Sequence, residues 1–151
     1  KDESLLGIGT QTILCKTEII SELMFDEEMP RFQELEMLIR ARQNGYKLYC
    51  VDQGLVNYVV GDDSISSDIN KRICGYRLLL KKHPNIKSIS SKMCETISNS
   101  LLITANEQKN NNDLSYKDTI LLAHEYSMTT KLRIKEFLIK IGLYDYIKSS
   151  H

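Results

Sequence analysis

A length of 151 residues suits one domain with room for an appendage, and a hydrophobic content of 42% is enough for a core. Twenty Lys and Arg balance twenty Asp and Glu, so the formal net charge is zero, which excludes a nucleic-acid binder held by bulk charge. The balance is uneven along the chain: residues 1–66 carry 6 Lys/Arg against 12 Asp/Glu, and residues 67–151 carry 14 against 8.

Residues 4–16 read as a Gly-punctuated loop running into a β-prone segment, Thr10 to Cys15. Thr17 can cap a short helical turn that turns Ile19, Ile20 and Leu23 inward. An acidic loop, Asp26-Glu27-Glu28, follows. Pro30 suits a first helical turn, and Leu35, Leu38 and Ile39 form an apolar stripe at helical spacing. Asn44-Gly45 stops that helix. Residues 46–51 and 55–60 read as two strands joined by a turn at Asp52-Gln53-Gly54. From Asp68 onward only helices are expected: 68–83 stopped by Pro84, then 86–105, 115–128 and 130–141, with a polar loop at 107–113. The fold class expected is mixed α/β, a short open sheet followed by an all-helical tail. The division falls at 1–66 and 67–151.

Four cysteines, Cys15, Cys50, Cys74 and Cys94, show neither CxxC pairing nor a His at ligand spacing, which fits a reducing, cytosolic setting. Cys15 and Cys50 lie in apolar strand-like runs, where a buried thiol is expected. No apolar run approaches the roughly 18–20 residues that span a bilayer, and no signal peptide is visible. The first residue is Lys1, and three strands with one helix cannot close a layered α/β domain. Both facts lead us to expect a piece of something longer.

The residues with most chemical promise lie in FDEEMPRFQELEMLIRARQNG, residues 25–45. Five carboxylates fall in its first twelve positions. An acid in a first helical turn complements the helix dipole and faces solvent, or serves as a general base held on a rigid helix end. Glu34 and Glu36 stand about 200° apart around the helix, so they cannot share one site. In the tail, Lys131, Arg133, Lys135 and Lys140 alternate with apolar residues, as in a packed helix with a basic face or one lying on a membrane surface. His83, His124 and His151 are isolated and carry no assigned role.

Three segments in order, GTQTILCKTEI, FDEEMPRFQELEMLIRARQNGYKLYCVD and LVNYVVGDDSIS, resemble the C-terminal half of a family 2 glycosyltransferase with a GT-A fold. The resemblance covers residues 10–66. It implies inverting transfer of a sugar from a nucleotide-sugar donor to a hydroxyl of a saccharide or lipid-linked acceptor, in bacterial polysaccharide synthesis at the cytoplasmic face of the membrane. It places the catalytic base at Glu34, where the family usually has Asp, with Gln33 before it. It makes Glu36 structural or sugar-contacting, and sets Gly9 and Thr10 in the loop that approaches donor and acceptor. The full-length enzyme is expected to use Mg²⁺ or Mn²⁺ through an Asp-x-Asp motif that is absent here, so no metal ligand is expected in this chain. Asp62-Asp63 reads as a turn. The isolated chain is expected to be inactive. The alternative is a non-catalytic interaction or dimerisation module built on a decayed half-domain, with a homodimer as its natural state.

Overall fold

A computed structural model of the chain describes residues 8–51, 53–57, 68–127, 133–134 and 137–139. The chain forms two compact units, Glu3–Ile89 and Ser90–His151. Among the described residues there is no strand, which overturns the expected mixed α/β class with its short open sheet.

The first unit opens with a 3-10 turn at Thr10–Thr12, where a strand was expected, and continues through helices α1 (Thr17–Leu23), α2 (Gln33–Gln43), α3 (Ile69–Lys82) and α4 (Ile86–Ile89). Residues 46–51 and 53–57 are irregular, and residues 58–60 of the second expected strand lie outside the described set. The reason is physical. A strand exists only where a neighbouring chain takes up its backbone N–H and C=O groups. β-propensity measures how well a side chain fits a pleated, half-buried surface, and among the described residues no such surface is present. The apolar side chains therefore stand in solvent: Leu14 is 99% exposed, Tyr49 85% and Leu55 70%. Cys15 and Cys50, expected to be buried, are exposed free thiols for the same reason, while Cys94 is buried.

α2 is the centre of this unit. Leu35, Met37, Leu38, Ile39 and Ala41 are buried along it, and Leu23, Met29, Tyr76, Leu79 and Ile86 are buried in the same unit. The helix starts later than Pro30 suggests. Phe32 adopts the left-handed conformation (φ 67°, ψ 30°), and its carbonyl accepts the first α2 hydrogen bond, from Glu36 N at 2.9 Å. The helix ends as expected. Gly45 has φ 83°, its N–H donates to Arg42 O at 3.0 Å, and Tyr46 N–H donates to Ala41 O at 3.0 Å. This is a complete Schellman cap, and it needs a residue without a Cβ penalty at Gly45. Gly45→Ala leaves open space around the new methyl, so its cost is conformational alone. We expect about 1–2 kcal/mol of lost stability, read as a lowered urea midpoint with unchanged slope.

α3 is capped by Asp68, whose carboxylate accepts from Lys71 N at 3.0 Å, and it stops one residue before His83-Pro84. The helix expected over 86–105 is in fact two. Ser90 is extended, and its hydroxyl accepts from Met93 N at 3.1 Å, starting α5 (Ser91–Asn110) afresh.

In the second unit α5 pairs with α6 (Tyr116–Tyr126). Met93, Cys94, Ile97, Leu101, Ala105, Tyr116, Ile120, Ala123 and Tyr126 are buried there. The polar loop is shorter than expected because α5 runs on to Asn110. Buried Gln108 explains the extension. Its amide donates to Asp113 Oδ2 (3.1 Å) and Ser115 Oγ (2.7 Å), and its carbonyl accepts from Thr119 Oγ1 (2.7 Å). One side chain thus ties the end of α5 to the start of α6. Residues 133–134 and 137–139 are helical, with Leu138 and Ile139 packed on Ala105, Tyr116 and Ile120. Lys131, Lys135 and Lys140 lie outside the described residues. No described helix is long and apolar enough to cross a membrane.

Candidate functional site

The two acids of α2 are separated by the helix, as their spacing requires, and they meet entirely different surroundings. Glu36 is 2% exposed. Arg40, one turn on, grips it from Nε (2.8 and 2.9 Å) and Nη2 (2.7 Å), and His83 Nε2 lies 3.0 Å from its other face. Arg40 also donates to two carbonyls at the end of α1, those of Leu23 and Met24, the latter at 2.7 Å. Burial pushes the Glu36 carboxyl upward, but hydrogen bonds from His83 and Arg40 and the Arg40 charge outweigh it and hold the carboxyl at about 2. Glu36 is therefore the centre of a bolt joining α1, α2 and the end of α3. It is an anion already fully partnered, with no proton to exchange near neutral pH.

Glu34 is half-buried on the other side of α2. Thr10 Oγ1 donates to its Oε1 across 24 residues of chain. Thr10 opens the 3-10 turn, which is closed by Thr12 N–H to Gly9 O (2.9 Å), Gly9 N–H to Thr12 Oγ1 (3.2 Å) and Thr12 Oγ1 to Gly9 O (2.7 Å). The structure thus brings together Gly9, Thr10 and Glu34. Gln33, next to Glu34, turns its amide back to Met29 O at 3.2 Å, so that amide locks the helix entry. Glu36 is held apart from all of them.

The acidic loop is held too. Lys82 Nζ sits 2.5 Å from Asp26 Oδ2 and 2.7 Å from Glu28 Oε2. Its hydrogen bond lowers the Asp26 carboxyl, and the two acids raise the Lys82 ammonium. An open depression of about 410 Å³ lies over this region, with Phe25, Asp26, Arg40, Lys82 and His83 among its walls. It is on the Glu36 side of α2, away from Glu34. Among the described residues no group of three or more His, Cys, Asp and Glu side chains can hold a metal ion. The acids that cluster, Asp26 and Glu28, already share an ammonium. Among the described residues, none therefore fits the divalent metal of the resembled family. Asp62 and Asp63 lie outside the described residues.

Sequence reasoning missed Lys82, His83 and Arg40. Only Arg40 left a local signal, the i,i+4 spacing from Glu36. Lys82 and His83 reach their partners from 47 or more residues away along the chain, and nothing in their own neighbourhood announces it.

Comparison with known proteins gives one partial relationship. A stretch of 51 residues, 34% of this chain, is 41% identical to the amylovoran biosynthesis glycosyltransferase AmsB of Erwinia amylovora, of which it spans 17%. No family model matches the chain, and no solved structure matches it. The chain is therefore related, over about a third of its length, to a glycosyltransferase.

Proposed function

We propose that this chain supplies the acceptor-side base of a sugar-transferring protein of the family 2, inverting type, with Glu34 as the base. The observation that carries the reading is the hydroxyl of Thr10 on the Glu34 carboxylate. A base for acceptor activation has to receive a hydroxyl proton at hydrogen-bond distance, and a protein hydroxyl makes that contact here. Glu34 is also the acid of α2 that is free of any guanidinium or imidazole among the described residues, so no cation holds its carboxylate as Arg40 holds that of Glu36.

The step is simple to balance. Glu34 takes the proton of the acceptor hydroxyl, the acceptor oxygen forms the new bond to the anomeric carbon, and the bond from that carbon to the donor phosphate breaks, releasing the nucleotide. A nucleotide-sugar donor and a saccharide or lipid-linked acceptor are the partners of this reading. Gly9 and Thr10 border the place where the two meet, and Glu36 acts by holding α2. The similarity to AmsB over 51 residues supports the sugar-transfer class.

The test is an assay of nucleotide release and sugar incorporation with a panel of UDP- and GDP-sugars and Mg²⁺ or Mn²⁺. We expect the 151-residue chain alone to be inactive, and a longer protein that contains it to transfer sugar. Appreciable transfer by the isolated chain would overturn the acceptor-side assignment. Absence of transfer by any longer protein that contains it would favour the second reading, an interaction module. The exposed Leu14, Tyr49 and Leu55 give that reading its footing, and sedimentation of the chain as a dimer would support it.

A further inference from the structure

We propose that Gly75 and Tyr76 of α3 are positioning residues for Glu34, acting through Phe32. This rests on the reading of Glu34 as the base.

The argument starts from the backbone of Phe32. A bulky residue in the left-handed region is strained, and it persists only where its surroundings hold it. Here they do. The Phe32 ring stacks on the Tyr76 ring, with centroids 4.3 Å apart and an interplanar angle of 20°. Tyr76 is 3% exposed. Gly75 is buried under the same ring. A Cβ at that position would lie 2.9 Å from Phe32 Cδ2 and 3.2 Å from Arg31 O, the second a backbone atom that cannot swing aside. The missing side chain of Gly75 is thus the space that lets Phe32 sit down on α3. Phe32 in turn fixes the first residues of α2. Its carbonyl starts the helical ladder, and Glu34 is two residues further on. Rotating the Phe32 backbone out of the left-handed region takes its carbonyl away from Glu36 N and redirects the start of α2, where Glu34 stands. The clamp therefore sets the aim of Glu34.

Two measurements test this. In the isotope-labelled chain, wild type is expected to show nuclear Overhauser contacts between the Thr10 methyl and the Glu34 methylenes, as the Thr10–Glu34 hydrogen bond requires. Gly75→Ala removes them, because the new methyl meets both the Phe32 ring and Arg31 O. In a longer active protein, assayed with whichever UDP-sugar of the panel it turns over, Gly75→Ala lowers kcat up to about 100-fold, the scale of an ångström-sized misplacement, with the donor KM unchanged. Retained Thr10–Glu34 contacts and an unchanged kcat in Gly75→Ala would overturn the proposal. If Gly75→Ala does not fold, Tyr76→Leu removes the stack without adding atoms at the contact and is judged by the same two outcomes. A Glu34→Gln protein with wild-type turnover would sink the base reading instead, while the nuclear Overhauser contacts would still report on the clamp.

Discussion

Glu36→Ala is expected to remove about 3–5 kcal/mol of folding stability, the scale of breaking a buried, hydrogen-bonded charge pair. The loss has three parts that act together. The carboxylate goes, Arg40 keeps its charge in a partly buried place with one partner fewer, and buried His83 loses the acceptor 3.0 Å from its Nε2. Urea unfolding near pH 7 measures it, and a change under about 0.5 kcal/mol, the size of an ordinary surface substitution, would refute the bolt. The pH dependence gives a second reading of the same group. The folded carboxyl is depressed from 4.5 to about 2. A depressed acid contributes stability that is present above its unfolded value and is lost as pH falls towards its folded one. Wild type should therefore lose on the order of 3 kcal/mol between pH 4.5 and 2 from this group. The Glu36→Ala variant should lack that component and show a flatter acid limb.

Glu34→Gln should lower turnover about 10²- to 10⁴-fold in an active protein that contains this chain, the usual worth of a general base. The amide keeps the shape of the side chain and an oxygen for Thr10 Oγ1 to donate to, so the local hydrogen bond can survive. What it lacks is the ability to take a proton. The effect should fall on kcat, because the base acts on the acceptor proton in the transition state rather than on ground-state binding. Glu34→Asp, one methylene shorter, restores the residue type that the resembled family usually carries there. It should retain more activity than Gln, at a rate set by whether the shorter arm still reaches the hydroxyl. Full activity in Glu34→Gln would remove Glu34 from the chemistry.

What could be read from the sequence was local. The 200° between Glu34 and Glu36 follows from helix geometry alone, and it assigns the two acids to different surroundings before any fold is known. The Gly45 cap and the stop before Pro84 are equally local, because each depends on neighbours within four residues. Ser90 is the instructive exception among the caps. Its apolar neighbours keep helical spacing across it, from Ile86 and Ile89 to Met93 and Ile97, so the pattern hides a break that its hydroxyl makes by capping Met93 N. The expected strands failed for the opposite reason. Ile13-Leu14-Cys15 and residues 46–51 have strand-like composition, but a strand needs a partner, and among the described residues none is present. His83, 47 residues from Glu36, and Gly75, which meets Phe32 across 43 positions, are products of packing. Phe32 itself shows how far packing can override preference, since a helix whose sequence suggests a start at Pro30 begins instead at a phenylalanine held left-handed against α3.

The two acids of α2 divide the work, Glu36 building the fold and Glu34, as proposed above, facing a substrate. The most direct measurement is urea unfolding of Glu34→Gln and Glu36→Gln chains side by side at pH 7. A loss of about 1 kcal/mol or less is expected for Glu34→Gln, the worth of a single hydrogen bond to an exposed threonine. A loss of about 3 kcal/mol is expected for Glu36→Gln, where a buried ion pair is broken. Equal losses, or a larger loss for Glu34→Gln, would refute this division between the two acids.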